Sequence, residues 1–284
     1  MKGISQRCIG FALLVALVVV AGCGSGRMVL PFSIDPTFLT PPRDARGLMT
    51  HEAAVRGLSA ILVRDLGLPL PATFTVYVYA GRQVFEQGLV QDGHVTPARA
   101  AELSEFAVGI GKKRQLLLND DATHPRGREW LRLIAHELAH VSQIEMQGGE
   151  GRAEQWLAEG MAEWVAFTTL ERLGLDTIAN RRALATAGIR NHAALVAARL
   201  DLETLGNPRG FTVRHLKEGS LPTYQLAFLM ADYLIDRDGF DRVVAYFRSF
   251  ERRQDRHANF KDTFAQTLDQ FEREVLAHLK TVVR

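Results

Sequence analysis

The chain has 284 residues, 47% hydrophobic and 23% charged, which is enough for a sizeable core in one large domain or two small ones. Its 34 basic and 32 acidic residues leave a net charge of +2, so no global field favours nucleic acid, and a nucleic-acid partner is not expected.

Lys2 and Arg7 give the chain a positive start, and residues 9–22 are apolar without interruption, a run too short to span a bilayer comfortably. The run ends in Val20-Ala21-Gly22-Cys23. This resembles the lipobox of bacterial lipoproteins, which implies a signal peptide over 1–22 and a lipid-carrying Cys23 as the mature first residue. An uncleaved anchor and an ordinary signal peptide are the competing readings. The other cysteine, Cys8, lies inside the signal, so export would leave no pair for an internal disulfide. Gly24 in place of Asp is similar to the pattern not retained at the inner membrane. The expected location is therefore the bacterial envelope, anchored through Cys23 at the outer membrane and facing the periplasm.

Pro31, Pro36, Pro41 and Pro42 disfavour regular structure, and residues 23–47 read as a flexible spacer ahead of a domain spanning 48–284. Over 51–66 the apolar residues Val55, Leu58, Ile61, Leu62 and Leu66 recur at helical steps, and Gly67 and Pro69 end the helix. Phe74, Val76 and Val78 alternate with Thr75, Tyr77 and Tyr79 as in a strand. Residues 106–111 and 115–119 read as two further strands around the basic turn Lys112-Lys113-Arg114, and beyond Pro125 the pattern is almost wholly helical. The expected class is α+β, a small mixed sheet followed by a mainly helical body.

Residues 136–140 read His-Glu-Leu-Ala-His, inside a helix whose Leu131, Ile134, Leu138 and Val141 form an apolar stripe. Histidines four apart stand one above the other on a helix face, so both imidazoles can converge on one ion, with Glu137 beside them as a general base. Two neutral imidazoles suit Zn²⁺, but a catalytic zinc commonly has three protein ligands and a water. Trp156-Leu157-Ala158-Glu159-Gly160-Met161-Ala162-Glu163-Trp164 supplies a third donor in Glu159, 19 positions after His140.

With both motifs present, the sequence resembles the gluzincin clan of metallopeptidases, and more closely its peptidase-MA-like branch, over roughly residues 70–280. The resemblance implies zinc held by His136, His140 and Glu159, and hydrolysis of peptide bonds by a metal-activated water. It also implies that Glu163, one helical turn beyond Glu159, hydrogen-bonds a liganding histidine; a surface carboxylate is the alternative. Tyr224 corresponds to the transition-state tyrosine of aminopeptidase-like members, although Tyr224, Phe228, Ala231 and Leu234 also form a stripe suited to a core. His215 is the rival donor or a structural histidine. One of the two short strands, 106–111 or 115–119, is expected to run beside an extended substrate. No Gly-x-Met-Glu-Asn motif precedes the metal helix, which puts exopeptidase action in doubt. Three functions remain open: an envelope endopeptidase, a binding or assembly lipoprotein that keeps the scaffold without turnover, and zinc hydrolysis of a non-peptide amide.

Overall fold

A computed structural model describes residues 26–123, 125–149 and 153–284. The signal segment and Cys23 lie outside the described residues. In chain order the elements are β1 (Arg27–Ser33), α1 (His51–Arg64), β2 (Thr73–Tyr79), α2 (Arg82–Gln91), α3 (Pro97–Ser104), β3 (Gly109–Lys112) and β4 (Gln115–Asn119). The helical body follows as α4 (Arg128–Met146), α5 (Gln155–Arg172), α6 (Ile178–Ile189), α7 (Ala193–Val196), α8 (Leu202–Leu205) and α9 (Pro208–Glu218). It closes with α10 (Ser220–Asp238), α11 (Phe240–Ser249), α12 (Arg256–Phe264) and α13 (Leu268–Val282). The class is α+β with a mainly helical body.

The four strands form one mixed sheet in the order β1-β2-β4-β3, with β2 and β4 parallel and both outer pairs antiparallel. Because strand side chains alternate between faces, Leu116 and Leu118 join the main core while Leu117, between them, packs with Tyr79, Phe85 and Leu89 under α2 and α3. A strand covered on both faces needs a continuous apolar run, and Leu116-Leu117-Leu118 is that run.

Three expectations are corrected. Part of the presumed spacer, residues 27–33, is the edge strand β1, in register with the whole of β2. Pro31 is tolerated there because an edge strand has one side that needs no N–H donor. Phe32 is buried and stacks on Phe74 with ring centroids 5.4 Å apart, so folded structure begins well before residue 48. The strand expected over 106–111 starts only at Gly109, because the amides of Phe106 and Ala107 bond back to the carbonyl of Leu103 and continue the turn of α3. Helices α2 and α3, between β2 and β3, were not anticipated. The start of α3 carries a Thr96 cap that accepts from the amide of Arg99, followed by Pro97 in the first turn.

Helix α4 is the centre of the molecule. Trp130, Leu131, Ile134, Leu138 and Ala139 bury it in the main core, and it packs against α5, α1 and β3. Helix α5 lies in turn between α4 and α10, and the contact with α10 depends on Gly160. A Cβ at that position would stand 2.2 Å from the carbonyl oxygen of Ala227 and 2.7 Å from Cβ of Ala231. The glycine after Glu159 is therefore what lets α10 lie directly on the helix that carries the third donor.

Candidate metal centre

His136 and His140 project from successive turns of α4, and Glu159 meets them from the first turns of α5. Their Nε2 atoms are 3.1 Å apart, and Glu159 Oε2 is 3.3 Å from each. One donor atom from each of the three residues lies within 4.8 Å of the others, and the group is largely buried.

The hydrogen bonds around the group settle which atoms carry lone pairs. Gln143, one turn beyond His140, donates from Nε2 to the carbonyl of Ala158 at 2.8 Å, which turns its Oε1 towards His140 Nδ1 at 2.9 Å. An amide oxygen only accepts, so Nδ1 carries the hydrogen and Nε2 of neutral His140 is bare. His136 Nδ1 lies 3.2 Å from Glu163 Oε1, an ion-pair distance without hydrogen-bond alignment, and the negative oxygen beside it favours the hydrogen on Nδ1 and a bare Nε2 in neutral His136. Glu159 Oε1 accepts from Gln155 at 2.7 Å, while its buried Oε2 has no hydrogen-bond partner. Three lone pairs thus converge on one point, an arrangement that suits a cation. The group can hold a metal ion.

The same requirement appears in the proton equilibria. Burial would lower the pKa of His136, but Glu159, Glu163 and Glu137 outweigh it and raise it to about 10. His140 is raised in the same way, burial being overcome chiefly by Glu159. Burial would raise Glu159, yet His140 and His136 hold it well below the usual carboxylate range. Without a metal, protons take the place of the cation.

Glu163 is buried and gripped at both oxygens by Arg132, at 2.7 and 2.9 Å. Burial alone would push it up, but Arg132 and His136 bring its pKa down to about 2. It therefore stays a carboxylate beside His136 while Arg132 cancels its charge, a combination that fixes the imidazole's orientation.

Glu137 is buried on the cleft side of α4, and its Oε2 accepts from the amide of Gly111 at 2.7 Å. The strand can come this close only because it lacks a side chain there: a Cβ on Gly111 would stand 2.4 Å from the carbonyl oxygen of Glu137 and 2.9 Å from Cβ of His140. Strand β3 is thus both the free edge of the sheet and a wall of the site.

The downstream residues reach the same place. A cavity of about 350 Å³ is lined by His136, Glu137, His140, Glu159, His215 and Tyr224, among others. The ring of Tyr224 lies 6.1 Å from that of His136 and 5.7 Å from that of His215, and His215 packs on Phe106 at 4.5 Å. Burial and the charges of Glu159, Glu137 and Glu163 raise the Tyr224 phenol well above its ordinary value, so it keeps its proton. Burial lowers His215, against the pull of Glu159, so its imidazole is neutral at pH 7. The structure brings both candidates to the cleft.

Comparison with known proteins adds one segment-level similarity. A family model described as the eCIS core domain matches residues 79–148. The matched segment runs from the end of β2 through α4, and so includes His136, Glu137 and His140 but stops short of Glu159 and the whole of α5. It covers well under half of the chain. No curated protein and no solved structure matches the chain.

Sequence reasoning missed Arg132, Gln143, Gln155 and Gly111. The first two lie four before and three after a motif histidine, and Gln155 lies four before Glu159, so helical spacing was the available signal. Gly111 carried none, because its role depends on an approach between two elements.

Proposed function

We propose that the protein is a zinc-dependent peptidase in which His136, His140 and Glu159 hold the metal and Glu137 is the general base. The observation that carries this reading is the convergence of three bare donor atoms beside a buried carboxylate in one cleft. The pattern His-Glu-Leu-Ala-His followed by Glu159-Gly160 supports it through its similarity to the gluzincin clan. Zinc, as a borderline-soft ion content with four-coordinate nitrogen and oxygen donors, suits two imidazoles and a carboxylate, and when bound it supplies Lewis-acid polarisation of a carbonyl and acidification of a water.

The chain's own residues would do the rest. Glu137 takes the proton of the attacking water and delivers it to the leaving nitrogen, with its Oε2 steadied by Gly111 so that the carboxylate keeps one orientation. The phenol of Tyr224, held protonated by its surroundings, donates to the oxyanion that develops on the substrate. The edge position of β3 beside the cleft supports an extended polypeptide as substrate, since the outer main-chain groups of β3 that Glu137 does not occupy can pair with a peptide by hydrogen bonds. Interior cleavage is the favoured mode, because the sequence carries no motif for gripping a substrate amino terminus.

The proposal includes attachment to the envelope membrane through a lipid on Cys23. Labelled palmitate should enter the wild type and not Cys23→Ala. For the reaction, purified protein is assayed for bound zinc and incubated with a mixed peptide library read by mass spectrometry. Stoichiometric zinc, cleavage by the wild type and none by Glu137→Ala are the expected results. Intact peptides despite full zinc occupancy would select a binding or assembly role, or hydrolysis of a non-peptide amide, instead.

A further inference from the structure

The candidate metal centre opens on two cavities of different character. The first, described above, is bordered on its far side by Lys112, Gln143, Gln147 and Gln155, and its surface is mixed. The second is larger, about 680 Å³, and lies across His136 and Glu137 from it. Phe106, Gly109, His136, Glu137, His215 and Tyr224 line both, so the two cavities meet at the metal centre.

The second cavity is walled by Phe167 of α5, Leu184 and Ala185 of α6, and Leu221 and Phe228 of α10. Phe167 and Phe228 meet edge to face at 4.8 Å, and the Arg181 guanidinium lies over the Phe167 ring at 5.0 Å. The charged groups on this wall are paired among themselves: Arg132 with Glu163 at 2.7 Å, and Arg181 with Glu129 at 2.8 Å and Asp176 at 2.7 Å. Glu137, at the metal centre, is the carboxylate of this lining that no arginine pairs; away from the metal centre the wall offers no unpaired charge among the described residues. Leu184 is 53% exposed and Leu221 68%, and they form an apolar lip on the cavity. The volume falls in the range of small-ligand sites, and an apolar lining with compensated charges selects for apolar content.

We propose that this second cavity receives a large uncharged side chain of the substrate, aromatic or leucine-sized, on one side of the bond that is cut. The mixed cavity then takes the polar side of the same peptide. The assignment to a cleaved peptide rests on the peptidase reading above; the capacity of the cavity to hold the side chain does not.

The test therefore uses two independent readouts. In the first, the whole chain, purified without added metal and carrying ¹³C-methyl leucine, is titrated with N-acetyl-phenylalaninamide, N-acetyl-alaninamide and N-acetyl-lysinamide. The methyl signals of Leu184 and Leu221 should respond to the phenylalanine compound roughly tenfold more tightly than to the alanine one, as burial of the extra apolar surface requires. Leu184→Asp, at an exposed helix position, should weaken the phenylalanine compound by roughly fivefold or more and shift preference towards lysine, a reversal that loss of folding does not produce. Equal responses to phenylalanine and alanine, or a preference untouched by Leu184→Asp, would overturn the proposal.

The second readout is the cleavage profile of the peptide library. Base-dependent cleavage with no large apolar residue favoured at either side of the cut removes the cavity's role and leaves the peptidase reading standing. No cleavage, with the methyl responses as expected, leaves the cavity's ligand class standing and removes the peptidase reading.

Discussion

His140 is oriented by Gln143, and Gln143 is itself oriented by the other metal helix: Oε1 faces His140 Nδ1 at 2.9 Å while Nε2 donates to the carbonyl of Ala158 at 2.8 Å. Ala158 immediately precedes Glu159, so one buried amide sets the tautomer of one donor and the position of the helix that bears another. Gln143→Leu keeps the approximate shape and removes both bonds. It should weaken zinc by about 10–100-fold, the usual cost of losing such a partner. Competition against a chromophoric chelator measures this, and unchanged affinity would show that packing alone holds the two helices in place.

His136 has a charged partner where His140 has a neutral one. Glu163 can remain ionised in a buried place because Arg132 binds both its oxygens. Arg132→Met strands that carboxylate, and unfolding in urea should show a loss of about 3–5 kcal/mol. Glu163→Gln should instead leave the fold near wild-type stability and lower zinc retention. The two variants separate the fold-holding part of this pair from the ligand-orienting part.

Much of the centre was legible in the sequence because its geometry is local. His136 and His140 share a helix face at any i, i+4 spacing, and Glu159-Gly160 stands in a second helix with its own motif, so pattern alone brought together three residues that can hold a metal ion, with the carboxylate of Glu137 beside them. What could not be read depends on partners from elsewhere. Gln143 is an ordinary polar residue in a helix until the Ala158 carbonyl is opposite it, and Gly111 is an ordinary strand glycine until α4 lies against it. The edge strand β1 was hidden by Pro31, whose meaning changes once the strand is known to be outermost. The apolar wall from Leu184 and Ala185 was hidden because α6 carries no motif, only a position.

Gly160 couples the donor helix to the helix that carries Tyr224. In Gly160→Ala the new Cβ would stand 2.2 Å from a backbone oxygen, so α10 must move. The expected cost is about 1–3 kcal/mol by chemical unfolding. Peptide turnover should fall further than zinc affinity does, because Tyr224 moves with α10 whereas Glu159 stays with α5. Equal losses in both would mean that the donor helix moved instead.

Tyr224→Phe tests the phenol alone, since the ring and its packing against Phe211 and His215 are kept. Turnover should drop about 10²–10³-fold, the range for losing one donor to a developing oxyanion. Zinc content and substrate KM should stay near wild type. An unchanged kcat would return the tyrosine to the aromatic stripe in which its sequence also places it, and would pass the role to His215.

At the start of α5, Glu154 sets a pH dependence of stability. Its carboxylate is fully buried just before α5, with Arg256 Nη1 at 3.4 Å and His257 Nε2 at 3.9 Å, and its amide donates to the hydroxyl of Tyr246. Burial pushes its pKa up to about 8, with Glu203 adding to the push and Arg256 and Trp156 opposing it. The unfolded chain ionises the same group near 4.5, so between pH 4.5 and about 8 the folded state holds more proton than the unfolded one. Stability from this group is therefore full below 4.5, declines as pH rises through that window, and levels off above it. Glu154→Gln removes the titration while keeping a neutral side chain of the same shape. Urea unfolding at pH 5 and pH 9 should give a wild type that loses more stability between the two than the variant does, by an amount on the order of a few kcal/mol at most. Parallel losses in the two proteins would mean that Arg256 keeps Glu154 ionised in the folded state throughout.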